Sequence, residues 1–317
     1  MRTLCVLAAV AVAALTAVTA APAQDLPKVT VAMSGWTGFA PLTLAEKTGI
    51  FKKHGVDVTI KFIPQKDRHL AIASGDVQCA ATTVETWILW NANGVATRQV
   101  VQLDKSYGAD GMVVRNNIAR IADLKGKTVA ASAPGTAPYF TLAWMLKKNG
   151  LSVKDVTIAT LEPGPAAQAF IAGQNDAAMT YEPYLSGVRD KPEAGKIIAT
   201  TLDYPMVMDT FGCTPKFIQE SPKLVQGMVD SYFEAVELIG REPKKSFEIM
   251  GAVVKQTGEQ FEKSQSYLRW QNREANRKFF AGEIQAFSKE ATDLLLELGI
   301  IKTQPDVAST IDTRFIK

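Results

Sequence analysis

Two stretches of this chain carry the same order of elements in succession, and that repetition limits the fold more than any other feature. The segment 28–37, Lys-Val-Thr-Val-Ala-Met-Ser-Gly-Trp-Thr, is apolar and β-branched and ends in small residues. The segment 127–136, Lys-Thr-Val-Ala-Ala-Ser-Ala-Pro-Gly-Thr, repeats that pattern, displaced by 99 positions at both ends. A helical pattern follows each copy, at 41–51 and 138–148. Next come a glycine (Gly55, Gly150) and a second strand pattern at 56–62 and 155–161. Glycine just past a helix and then a β-branched run are the expected stop and restart. The match continues through 71–85 and 169–182, each reading helix, glycine turn (Gly75, Gly173), strand and closing glutamate (Glu85, Glu182). Strands alternating with helices build a mostly parallel sheet covered on both faces. Two such units in tandem predict an α/β protein of two lobes, each a mixed, mostly parallel sheet flanked by helices.

The lobes need a joint. Residues 103–115 place Gly108 and Gly111 between two strand patterns, and residues 203–212 repeat the arrangement. These segments predict a two-part hinge over 104–111 and 203–211. From Ser221 the apolar residues Leu224, Val225, Met228, Val229, Tyr232, Phe233, Val236 and Ile239 keep a helical spacing after Ser221-Pro222. The C-terminal region therefore reads as helical, with a last helix around Leu294–Leu295–Leu296 before Gly299. Residues 24–108 and 210–317 are assigned to one lobe and 109–209 to the other.

Residues 1–23 read as a cleavable secretory leader: Met1-Arg2, an apolar run over 4–18, and a small-residue site ending at Ala23. Export would leave Cys79 and Cys213 in an oxidising space where pairing is open to them. The strand-like run around Cys79 favours instead a cysteine buried as a small hydrophobe.

Most chemistries are excluded by count. Lys plus Arg total 35 against 32 Asp plus Glu, too small and scattered an excess for a nucleic-acid partner. Two histidines and three cysteines do not supply a zinc ribbon or a histidine-rich metal site. No Gly-x-Ser-x-Gly elbow, phosphate loop or His-Glu-x-x-His occurs. No catalytic residue, metal site or cofactor is expected, and the chain is not read as an enzyme.

In open α/β sheets a ligand lies beyond the carboxyl ends of the strands. Residues at those ends, and at the helix starts beside them, are Trp36, Thr37, Glu85, Asp110, Thr136, Tyr139, Tyr181, Glu182 and Asp209. They are the candidate ligand-binding set. Free N–H groups near Thr37 and Thr136 suit an oxyanion, the aromatic faces suit a compact solute, and the carboxylates suit an amino or amide N–H. Lys105 is the only basic residue in these positions, which argues against a bare anion. Each residue also has a plainer reading. Trp36 and Trp87 could cover a lobe, Glu85 and Glu182 could cap helices, and Asp104 and Asp110 could hold the hinge turn. His69, beside Arg68, reads as solvated.

Several segments resemble a known family. Leu42-Thr-Leu-Ala-Glu-Lys-Thr-Gly-Ile-Phe-Lys-Lys-His-Gly55, Asp123-Leu-Lys-Gly-Lys-Thr-Val, Ala172-Gly-Gln-Asn-Asp176 and Tyr181-Glu-Pro-Tyr184 are similar to periplasmic solute-binding proteins of the nitrate/sulfonate/taurine type. The joint around Asp104, Ser106, Gly108 and Asp110 resembles it as well. The pattern departs at Tyr181, where many members carry tryptophan. The resemblance implies the two-lobed periplasmic-binding-protein architecture and a monomer in the periplasm that closes on a small molecule. It also implies delivery of that molecule to an ABC permease in the inner membrane. Relatives of this type take nitrate, alkanesulfonates, taurine, bicarbonate or pyrimidine precursors, and the carboxylates of this chain point to a taurine or sulfonate-like or a pyrimidine or urea-like solute. Two alternatives share the fold. One is an enzyme like those that make a thiamine pyrimidine precursor, whose cysteine cluster is absent here. The other is a binding module that reports to a sensor.

Overall fold

Val29, Val31 and Met33 alternate with Thr30 and Ala32 along β1 (Lys28–Met33), the period-two pattern of a strand with two covered faces. The computed structural model describes residues 25–316; the leader and its processing after Ala23 lie outside them. Among the described residues the remaining strands are β2 (Asp57–Phe62), β3 (Cys79–Thr83), β4 (Arg98–Ser106), β5 (Asp110–Val114), β6 (Thr128–Ala131), β7 (Thr157–Thr160), β8 (Ala177–Tyr181), β9 (Lys196–Thr200), β10 (Met208–Cys213) and β11 (Leu268–Trp270). They form a six-stranded sheet, β11-β4-β10-β3-β1-β2, and a five-stranded sheet, β7-β6-β8-β5-β9.

The duplication is visible in the topology. β1 pairs in parallel with β2 and β3, and β6 pairs in parallel with β7 and β8. Strands that cross from one sheet's chain segment to the other run antiparallel: β10 lies between β3 and β4, and β5 lies between β8 and β9. The crossovers run from β4 to β5 and from β9 to β10, and they are tied to each other. The Ser106 and Thr201 hydroxyls bond at 2.7 Å, and Gly108 N donates to Thr201 Oγ1 at 2.8 Å. Gly108 has φ +96°, a conformation that favours glycine.

Apolar residues cover both faces of each sheet. Val29, Val31 and Met33 join Leu44, Val225, Val229 and Tyr232, while Ala32 packs with Ile72, Val77, Trp87 and Trp90 on the other side. The bland reading of Trp87 holds, since it is fully buried core. In the second sheet Met112, Val129 and Met179 meet Leu142 and Leu146, and Val113, Ala130 and Ala178 meet Phe170. Helix Ala137–Lys148 has two apolar faces. One packs on the second sheet, and the other, through Phe140 and Ala143, meets Val84, Ile88, Phe279 and Ile284. Among the described residues no helix is long and apolar enough to cross a membrane.

Three expectations change. The helix over 41–51 breaks at Gly49 (φ +76°) into Ala40–Lys47 and Ile50–Lys53. The C-terminal region is helical except at β11, which extends the first sheet at β4. Cys79 is a paired cysteine, not a free buried one. Antiparallel pairing of β3 with β10 sets Cys79 directly opposite Cys213, with Cα atoms 4.0 Å apart, and the two form a disulfide.

Candidate binding site

Ser34-Gly35-Trp36 follow the end of β1, and the Trp36 ring lines the space between the two sheets. Its Nε1 donates to Asp104 Oδ1 at 3.1 Å, and its centroid lies 5.3 Å from that of Tyr181, edge to face at 74°. Gly38 permits this arrangement. A Cβ there would come within 2.2 Å of both Asp104 Oδ2 and Trp36 Nε1. Trp270 of β11 completes the contact by donating Nε1 to Gly38 O at 3.0 Å.

Around Trp36 lies a cavity lined by residues of both sheets, including Ser34, Gln65, Arg68, Thr83, Asp110, Ala137, Tyr181 and Asp209. Its free space, about 20 Å³, is room for one or two waters. A second, wider groove runs beside it past His69, Trp90, Pro134 and Tyr139.

Four buried carboxyl groups gather here: Glu85, Asp104, Asp110 and Asp209. Asp104 and Asp209 are register partners on β4 and β10. Burial pushes both well above the ordinary carboxylate range; Asp104, Asp110 and Glu85 add repulsion at Asp209, and Asp110 adds it at Asp104. Burial also raises Asp110 to about 7, with Glu182 adding repulsion. It raises Glu85 to about 7 against the opposing bond from the Thr83 hydroxyl. Glu85 Oε2 and Asp110 Oδ2 are buried without a hydrogen-bond partner among the described residues, and Asp104 and Asp209 have only each other at their Oδ2 atoms. Buried polar atoms are ordinarily satisfied; of these acids Asp110 and Asp209 line the cavity, and Glu85 and Asp104 are not part of its lining.

Arg68 supplies a buried positive charge. Its Nε donates to Ile63 O at 2.8 Å and its Nη1 to Ala81 O at 2.7 Å, which fixes the guanidinium plane beside the cavity. Burial lowers it to about 10, while Tyr181, Asp209 and Glu162 pull it the other way. It remains a cation at neutral pH. The sequence reading missed it. The one signal is that Arg68 stands four positions before Ile72 and so shares the buried face of helix Gln65–Ser74.

The candidate residues divide. Trp36, Asp110, Tyr181 and Asp209 line the cavity. Thr37 and Glu85 are buried beside these residues along the chain, and Thr37 Oγ1 lacks a partner among the described residues. Thr136 turns inward on its own loop, donating to Ala133 O at 2.7 Å. Tyr139 faces the wider groove. Glu182 stands outside the cavity lining. It accepts from Ser186 N at 3.0 Å and from Arg189 Nε at 3.4 Å, so it caps helix Tyr184–Arg189, the plainer of its two readings. Lys105 points away and pairs with Glu283. His69 is half-buried rather than solvated, its ring 6.4 Å from that of Trp90. Among the described residues no cluster of His, Cys, Asp and Glu could hold a metal ion.

Two α/β sheets joined by paired crossovers, with a polar cavity between them, have the architecture of periplasmic binding proteins. The chain belongs to the family described as NMT1/THI5 like, whose model matches residues 36–246. It is 25% identical over 286 residues to a putative aliphatic sulfonates-binding protein of Bacillus subtilis (strain 168), covering 88% of this chain and 84% of that one. It is 26% identical over 216 residues to the taurine-binding periplasmic protein of Escherichia coli (strain K12), covering 65% of each. Among solved structures, the alkanesulfonate-binding protein SsuA from Xanthomonas axonopodis pv. citri bound to MOPS shares the fold. Its TM-score is 0.76 at 18% identity, covering 92% of this chain and 100% of that one.

Proposed function

We propose that this protein is the substrate-binding component of an ABC importer, working in the periplasm. Its ligand is a small solute that carries a positively charged amino or amidino group. The observation that carries the reading is the excess of buried acids over buried cations: Asp110 and Asp209 on the cavity wall, with Glu85 and Asp104 also buried, against Arg68. A ligand cation supplies the missing countercharge, and unpaired buried charge is otherwise costly. Arg68 Nη2 makes no hydrogen bond among the described residues and leaves a place for an oxyanion at the ligand's other end. A zwitterion such as taurine, which the Escherichia coli relative is named for, meets both demands.

A free space of about 20 Å³ is far below the ~300 Å³ at which ligand pockets usually start. The reading therefore needs the two units to separate about their crossovers and close again on the solute. Titration calorimetry with taurine, alkylamines, amidines, aminopyrimidines, aliphatic sulfonates and nitrate tests it. Amine-bearing compounds should bind, Asp110→Asn should weaken them by tenfold or more, and the compound should be recovered unchanged. Binding of nitrate or simple sulfonates alone, indifferent to Asp110→Asn, would overturn the assignment. Recovery of an altered compound would move the protein to the enzymes of this fold.

A further inference from the structure

Gln65 occupies a position that the binding reading does not use. It is the first residue of helix Gln65–Ser74, which follows β2 of the first sheet. Its Nε2 shares its two hydrogens among Thr82 Oγ1 at 2.9 Å, Thr86 Oγ1 at 2.8 Å and, more distantly, Thr83 Oγ1 at 3.3 Å, all of them on or just after β3. Its Oε1 accepts from the backbone N of Ala137 at 3.1 Å. Ala137 opens helix Ala137–Lys148, which follows β6 of the second sheet. The first N–H groups of a helix have no partner within it and attract an acceptor. One amide therefore ties a threonine cluster on one sheet to a helix start on the other.

The same side chain lines both the inner cavity and the wider groove. It is the residue common to the linings of the two spaces. We infer that Gln65 is the latch between the two units, a positioning residue that sets how readily the cavity opens. This rests on the reading that the units separate to admit a solute. The threonine bonds hold the amide in one rotamer, so the oxygen is presented to Ala137 without a further ordering cost. A hydrogen bond contributes about 1 kcal/mol net, roughly a fivefold change in an opening equilibrium.

Hydrogen exchange of the purified full-length mature chain reads the latch at its own donor. The probe is the Ala137 amide, with amides of β4 as the measure of global unfolding. Gln65→Ala removes the side chain, whereas Gln65→Met keeps its length and apolar stem without the acceptor. Both should speed exchange at Ala137 by roughly fivefold while the β4 amides change by less. An unchanged Ala137 rate in either variant, in a protein whose Ala137 exchanges faster than β4, overturns the latch and leaves the opening motion standing. A parent protein whose Ala137 exchanges only as slowly as β4 has units that do not separate; that result overturns the opening motion and the latch with it.

Discussion

Asp104 and Asp209 face each other across β4 and β10, two fully buried carboxyl groups in one register pair. Burial first, and repulsion between neighbouring carboxylates, push both well above the ordinary carboxylate range, so the two titrate as a unit. Trp36 Nε1 donates to Asp104 Oδ1 and stabilises charge on that side. The aromatic wall of the cavity and the state of the acid pair are thus linked through one hydrogen bond. A ligand ammonium placed beside the pair would favour its ionised form.

Stability of the free protein should fall as the pH rises from about 4 to about 7. Glu85 and Asp110 are raised to about 7 in the folded state, whereas unfolded carboxyls titrate near ~4. Between those values the folded chain holds more protons than the unfolded one, so each unit of pH removes stability. Differential scanning calorimetry from pH 5 to pH 8 should show the melting temperature dropping. Glu85→Gln and Asp110→Asn should each flatten the slope, with Asp104 and Asp209 supplying what remains; a slope unchanged by both together contradicts the assignment.

Binding should run the other way with pH. A ligand cation needs ionised carboxylates, so the affinity of an amine-bearing ligand should rise between pH 5.5 and pH 8, with proton release on binding. Calorimetry in buffers of different ionisation enthalpy measures that release. Uptake of protons instead would point to an anionic ligand.

Arg68→Met should cost about 3–5 kcal/mol, since it leaves Ile63 O and Ala81 O without their donor and Asp209 without its countercharge. Adding Asp209→Asn should recover part of the loss. Urea unfolding of the four proteins in the cycle gives the coupling, expected at about 1 kcal/mol or more; strict additivity would separate the two residues.

Gly38→Ala should destabilise by about 1–3 kcal/mol and unseat the Trp36 ring, because the new methyl group collides with Asp104 Oδ2 and Trp36 Nε1. Near-ultraviolet circular dichroism of the variant should lose tryptophan signal.

Reduction of the Cys79–Cys213 bond should cost about 2–5 kcal/mol, in keeping with a cross-link between residues 134 positions apart. Thermal melts with and without a reductant measure it, and thiol titration of the unfolded mature protein should find none free.

The repeated unit was legible because strand alternation and glycine stops are local signals, and β1-β2-β3 and β6-β7-β8 appear with the pairings they imply. Long-range pairing left no local trace. Nothing near Cys213 announces that β10 lies against β3, and the three residues of β11 are too few to show a period. Trp36, Asp110, Tyr181 and Asp209, picked for their place at strand ends, do line one cavity. Arg68 and Gln65 were hidden because their helix reads as polar; its outward residues, such as Lys66, outnumber the two fully buried ones, Arg68 and Ile72. Glu182 falls outside the cavity lining. It ends a strand, yet Arg189 and Ser186, a few residues later, take up its charge.

The insertion of β10 between β3 and β4 has a consequence for the order of synthesis. A growing chain makes β3 and β4 within the first 106 residues, yet the strand that joins them spans Met208–Cys213. Until about a hundred further residues have been made, two hydrogen-bonding edges rich in buried apolar side chains stay unpaired. Such edges are sites of wrong association, and contacts so distant in sequence form slowly. The first sheet therefore finishes folding only after the whole second sheet has been synthesised, and a chain truncated anywhere before residue 208 leaves it with an open seam.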